Sequence, residues 1–187
     1  MIITTPSLQS FFFNDLNEIN KKSLCPIPES IIYYSSEVLE KFSLSEDFFD
    51  FSEGKVREKI LGMKLLEATQ HSREEQKRIY KDVADMSLMV CGYFSESVNK
   101  KIVDTQYYSQ LGKMAYGRLD NCAPAFLDIP CFYSMLATSF ENLTILLNLL
   151  AKKSRNEKDA TYLLSKERSD KELLMSGIHP NPTRKVS

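Results

Sequence analysis

A chain of 187 residues suffices for one domain, hiding roughly 70% of its unfolded surface without a disulfide or metal staple. Its 24 Lys and Arg balance 25 Asp and Glu, so no large one-signed field exists to hold a nucleic-acid backbone or an anionic membrane. With 43% hydrophobic and 26% charged residues, the composition excludes wholesale disorder.

Only six glycines occur, alternating β-branched runs are nearly absent, and apolar residues recur at spacings of three and four. The pattern predicts an all-α, single-domain bundle of six or seven helices. A first short helix follows Pro6, burying Leu8, Phe12, Leu16 and Ile19, and residues 1–28 form a docked N-terminal segment. Pro26 and Pro28 in "CPIPES" force an extended link. Glu29 to Phe42 reads as the second helix, with Ile32, Ser36, Leu39 and Phe42 on one side and Ile31, Tyr34 and Val38 beside them. In "SLSEDFFDFSEGK" the helical period fails, and the burial value of Phe48, Phe49 and Phe51, roughly 1.5 to 3 kcal/mol each, predicts a loop folded back onto the body or held by a partner.

Lys55 to Thr69 gives a third helix with Val56, Ile60, Met63 and Leu65 or Leu66 as its core line. Ser72 with Glu75 three residues later matches a capping box, so a fourth helix starts near Arg73 and stops near Gly92. Ile79, Val83, Met86 and Val90 form its core line, Tyr80, Ala84, Ser87 and Cys91 adjoin it, and Lys81, Asp82 and Asp85 belong to the water side. Asp104 is the expected N-cap of a fifth helix running to about Leu119. A loop with Pro124 follows, and Asp128 with Pro130 should open a long central helix near 129–152, striped by Phe132, Leu136, Phe140, Leu143, Leu147 and Leu150. Residues 153–176 read as a peripheral charged helix completing the domain at 176, and 177–187 as a disordered tail.

The apolar stretch from Cys131 to Leu150 has the length of a membrane span. Glu141, Asn142 and Asn148 interrupt it on one side, the mark of an amphipathic core helix, so no membrane partner is expected. Cys25, Cys91, Cys122 and Cys131 contain no CxxC pair, which points to reduced thiols acting as small hydrophobes in a cytoplasmic protein.

Chemistry-bearing patterns are sparse. His71 and His179 have no metal partner at helical spacing, no Gly-rich phosphate loop occurs, and no nucleophile has a base nearby, so no cofactor or metal is expected. The unusual stretch is "VDTQYYSQLGKMAYGRL", residues 103–119. There Tyr108, Gly112 and Tyr116 stack one turn apart, with Tyr107 and Ala115 on the adjacent row. Glycine inside a helix costs about 1 kcal/mol against alanine, so Gly112 signals either close approach of another helix or a groove for a ligand or peptide. With "DMSLMVCGYF", the segment 85–150 carries Ser87, Leu88, Gly92, Tyr93, Phe94, Tyr107, Tyr108, Gly112, Ala115 and Tyr116. This pattern resembles a family of small helical bacterial proteins to which no activity is attached.

These readings lead to a non-enzymatic regulatory or adaptor protein that contacts another protein or a second copy of itself, with Tyr93, Phe94, Tyr107, Tyr108, Gly112 and Tyr116 as the candidate contact residues. A small-ligand carrier with a tyrosine-lined apolar pocket is the alternative. An enzyme assembled from residues far apart in sequence is the third reading.

Overall fold

The computed structural model describes the backbone over residues 7–44, 55–95, 105–123 and 125–175, and side chains over 7–43, 61–95, 105–123 and 125–156. Phe48, Phe49, Phe51 and Asp104 lie outside these residues, as do the side chains of Val56 and Ile60 and the whole of 177–187. Six α-helices are described: α1 Leu8–Lys21, α2 Glu29–Leu44, α3 Lys55–Glu67, α4 Arg73–Cys91, α5 Thr105–Cys122 and α6 Phe132–Met175. A 3₁₀ turn, Ala68–Gln70, follows α3, and a two-stranded hairpin precedes α6. The architecture is all-α. Backbone contacts divide the chain into residues 1–151 and residues 152–187, and the packing described below belongs to the first unit.

Local chemistry explains most of the helix ends. Ser7 accepts the Ser10 N–H to cap α1, and Asn20 at its far end is buried, exchanging two 2.8 Å hydrogen bonds with the Ile27 backbone. Those bonds fix the extended Pro26–Pro28 link where no helix can supply them. Leu8, expected inside, is half-exposed because the buried face of α1 is Phe12, Leu16 and Asn20. On α2, by contrast, every core position read from the sequence is buried. The capping box forms with both bonds present, Glu75 N–H to Ser72 Oγ and Ser72 N–H to Glu75 Oε2, and Gly92 ends α4.

Two expectations change. Among the described side chains of α3 Leu61 and Leu65 are buried, as is Ala68 in the 3₁₀ turn, while Met63 and Leu66 are exposed. Its apolar residues exceed what one stripe can hold, and packing selects which row goes inside. Before α6, Ala125–Phe126 pairs with Ile129–Pro130 in an antiparallel hairpin whose turn residues, Leu127 and Asp128, have φ of 47° and 61°. A two-residue turn with both φ positive matches strand twist. Asp128 is therefore a turn residue and not an N-cap, and α6 starts at Phe132. The cap comes from α5, whose Asp120 carboxylate accepts the Ser134 N–H at 3.2 Å. From Phe132 onward α6 contains neither Gly nor Pro, so nothing in its backbone interrupts the helix before Met175. By length and composition its Phe132–Asn156 stretch could cross a membrane; within the bundle it buries Phe132, Leu136, Phe140, Leu143, Leu147 and Leu150.

Two glycines set the spacing of α4, α5 and α6. A Cβ built on Gly112 would fall 2.6 Å from the Phe140 ring and 3.0 Å from Ser87 Cβ. One built on Gly92 would lie 2.7 Å from Leu147 Cβ. Neither space can hold a methyl group without moving a helix. Gly117, on the same helix as Gly112, meets nothing within 4 Å.

The contrast is testable by chemical denaturation. Gly112→Leu should lower stability by about 3 kcal/mol through overpacking, whereas Gly117→Ala should raise it by about 0.5–1 kcal/mol through the unfolded chain alone. Equal effects would show that α5 does not cross its neighbours at Gly112.

Candidate functional site

The centre of the first unit is a charged group. Asp85, placed on the water side by its sequence spacing, is fully buried. On α4 every residue from Val83 to Val90 except the half-buried Met86 is buried, and Asp85 lies inside that stretch, one turn before Met89. Its carboxylate is held by three side chains from three helices. Tyr34 of α2 donates its hydroxyl to Oδ1 at 2.7 Å, and Tyr116 of α5 donates to the same oxygen at 2.9 Å. Lys81, one turn earlier on α4, donates to Oδ2 at 3.1 Å and to the Tyr34 hydroxyl at 2.7 Å. A buried charge costs several kcal/mol in lost hydration, and only such a complete shell offsets it.

Aromatic rings wall this shell. Tyr34 makes edge contacts with Tyr116, Phe126, Phe132 and Tyr133, at centroid distances of 5.2–6.3 Å. Phe126 stacks on Phe132 at 4.6 Å, which is how the hairpin is seated. Burial first, and the Asp85 charge second, hold the Tyr34 and Tyr116 hydroxyls well above their ordinary value of 10.0. Both stay protonated as donors. Tyr34, Tyr116 and Asp85 have no solvent exposure, while the Lys81 side chain that binds them is 41% exposed.

The residues singled out in the sequence divide between interior and surface. Tyr108, Gly112 and Tyr116 are buried, and Phe140 with Ser87 occupies the space beside Gly112, so this row forms a helix crossing. Tyr93 and Phe94 pair at 5.1 Å in the turn after α4, half-buried against the core. Tyr107 is 40% exposed and lies elsewhere, with its hydroxyl over Gly62 of α3. The remaining candidates for chemistry are unremarkable: the cysteines are free, burial pushes the Cys91 thiol up to about 12, and no metal-holding cluster occurs among the described residues. Cys25 and Cys131, expected inside, are exposed, since one lies in the proline link and the other at the hairpin's end.

Comparison of the chain with protein-family models, curated proteins and solved structures gives no match. Function must be read from this molecule's own surfaces.

Exposed apolar side chains lie on two helices, α3 and α5. Met63 and Leu66 on α3 are 45% and 71% exposed, and Tyr107 and Met114 on α5 are 40% and 50% exposed. The Gly62–Tyr107 contact brings the helices together, and the Arg118 guanidinium donates to the Leu65 carbonyl at 3.1 Å. Met63 and Leu66 are three apart, Tyr107 and Met114 seven apart, so each pair shares one face of its helix. Lys64 and Glu67 flank them. The excess of apolar residues on α3 was the sequence signal for this exposure; which row faced outward was not.

Removing the buried carboxylate should orphan two tyrosine hydroxyls. Asp85→Ala is expected to cost about 2–5 kcal/mol in urea unfolding; a loss below about 0.5 kcal/mol would mean that the shell contributes nothing.

Alkaline unfolding tests the same group. Because the folded chain keeps protons that the unfolded chain releases above pH 10, the contribution of Tyr34 and Tyr116 is complete below that pH. It declines above pH 10 by about 1.4 kcal/mol per pH unit for each tyrosine. Tyr116→Phe should remove one of the two slopes, and an unchanged slope would contradict the assignment.

Proposed function

We propose that this protein is a non-enzymatic regulatory or adaptor protein that works by contact, presenting the α3–α5 surface to another polypeptide. The observation that carries the reading is the grouping of Met63, Leu66, Tyr107 and Met114 on adjacent helices, all substantially solvent-exposed. Scattered single apolar residues are ordinary on a protein surface, but a contiguous group marks a contact site. Methionine suits it, since its flexible thioether repacks against partners of different shape, and tyrosine adds apolar area with one hydrogen-bonding end. The tyrosines of the α5 crossing serve it indirectly, by fixing α5 against α4 and α6. The partner is another protein or a second copy of the chain.

A photo-crosslinking residue at position 66, introduced into the full-length protein in its own cell, should trap one polypeptide, either another protein or a second copy. The same residue at position 138, on an exposed part of α6, should not trap it. Leu66→Glu combined with Met114→Glu should abolish the association while changing stability by less than about 1 kcal/mol, because neither side chain is buried. Equal trapping from both positions, or association that survives both charges, would remove the basis for the reading.

A further inference from the structure

The rows that close tightly at Gly112 open one turn further along. On α4 the row continues from Ser87 to Cys91 and, past the end of the helix, to Ser95; on α5 it runs back from Gly112 to Ser109 and Thr105, and on α6 it passes from Phe140 to Thr144 and Asn148. Where Phe140 filled the first level, the second is lined by small polar side chains, and they leave an open-sided cavity of about 390 Å³. Leucine at positions 109 and 144 would have continued the core. The volume is at the lower end of the range for small-molecule sites.

The lining specifies a chemistry. The lining carries the hydroxyls of Ser95, Thr105, Ser109 and Thr144 and the amides of Gln106 and Asn148, and the Thr144 hydroxyl donates to the Glu141 carbonyl at 2.7 Å, leaving its lone pairs as acceptors. The walls are already ordered: Asn148 Nδ2 donates to Ser95 Oγ, and the Cys91 thiol donates to the Thr105 carbonyl at 3.4 Å. Ser109 is half-buried and its hydroxyl contributes to the cavity wall. Among the described lining residues the ionic group is Glu141, and Lys113 pairs with it. A carboxylate beside hydroxyl and amide groups accepts hydrogen bonds from the hydroxyl groups of a ligand.

We propose that this cavity, formed by α4, α5 and α6, binds a small neutral polyhydroxylated molecule of monosaccharide or cyclitol size. The ligand's hydroxyl groups replace water against Ser109, Thr144 and Asn148, with Glu141 accepting at the mouth. Because Gln106 and Tyr107 are consecutive on α5, a bound ligand stiffens the helix turn that carries one edge of the apolar surface. The site itself does not depend on that surface, and its test leaves α3 untouched.

D-Glucose, myo-inositol and glycerol, with glucose 6-phosphate as the charged control, would be titrated into the full-length protein by calorimetry and saturation-transfer NMR. At least one neutral probe should bind saturably, and more tightly than the phosphate. Ser109→Leu or Thr144→Leu, each filling the cavity from a different helix, should weaken that binding at least about tenfold with helical circular dichroism retained. A variant that loses its helical signal is replaced by the other. No saturable binding by any neutral probe, equal or tighter binding of the phosphate, or unchanged affinity in a folded variant would overturn the proposal.

Discussion

A carboxylate deprived of water must have every lone pair answered from within the protein, and Asp85 imposes that condition on the first unit of this chain. Tyr34 must arrive from α2, Tyr116 from α5 and Lys81 from the preceding turn of α4, all within hydrogen-bonding distance of two oxygen atoms. Generic burial of leucine tolerates many arrangements, because dispersion and the hydrophobic effect have no direction. Hydrogen bonds to one buried charge do have direction. The shell therefore selects one mutual placement of α2, α4 and α5 among the several that an apolar core alone would accept.

The glycine contacts and the aromatic wall follow from that placement. Once Tyr116 reaches Asp85, α5 lies against α4, and residue 112 has no room for a side chain between Ser87 and Phe140. Tyr34 lies among rings from α5, the hairpin and α6, so the hairpin, despite two turn residues with positive φ, is held through Phe126. Asp120 near the end of α5 then caps the first turn of α6. Polar groups thus set the register of helices whose stability comes from apolar burial.

The same constraint decides what is left for function. Tyrosines that would otherwise suggest a binding groove are occupied in the interior, while Met63, Leu66, Tyr107 and Met114 are left to solvent on α3 and α5. Along the α4–α5–α6 seam, the change from Phe140 to Thr144 turns a closed crossing into a polar cavity within one helical turn. The exposed apolar side chains and the cavity are both consequences of where the core runs out of large apolar side chains.

By itself the sequence determined the helices. Periodicity located α2 and α4 almost to the residue, the Ser72–Glu75 pair marked a start, Gly92 marked an end, and Gly112 marked either a close approach or a groove, which the structure resolves as a close approach. These are local properties, set by capping groups, backbone freedom and one helical period, and they are present before any helix meets another. Tertiary structure alone decided that Asp85 lies inside, that Leu61 and not Met63 faces the core, and that Asp120 caps α6 in place of Asp128. Each of those depends on a partner distant in sequence: a carboxylate at a helix border reads as solvated until two tyrosines from other helices are brought to it. Burial of a polar residue is a property of its neighbours, and neighbours are chosen only when the helices pack.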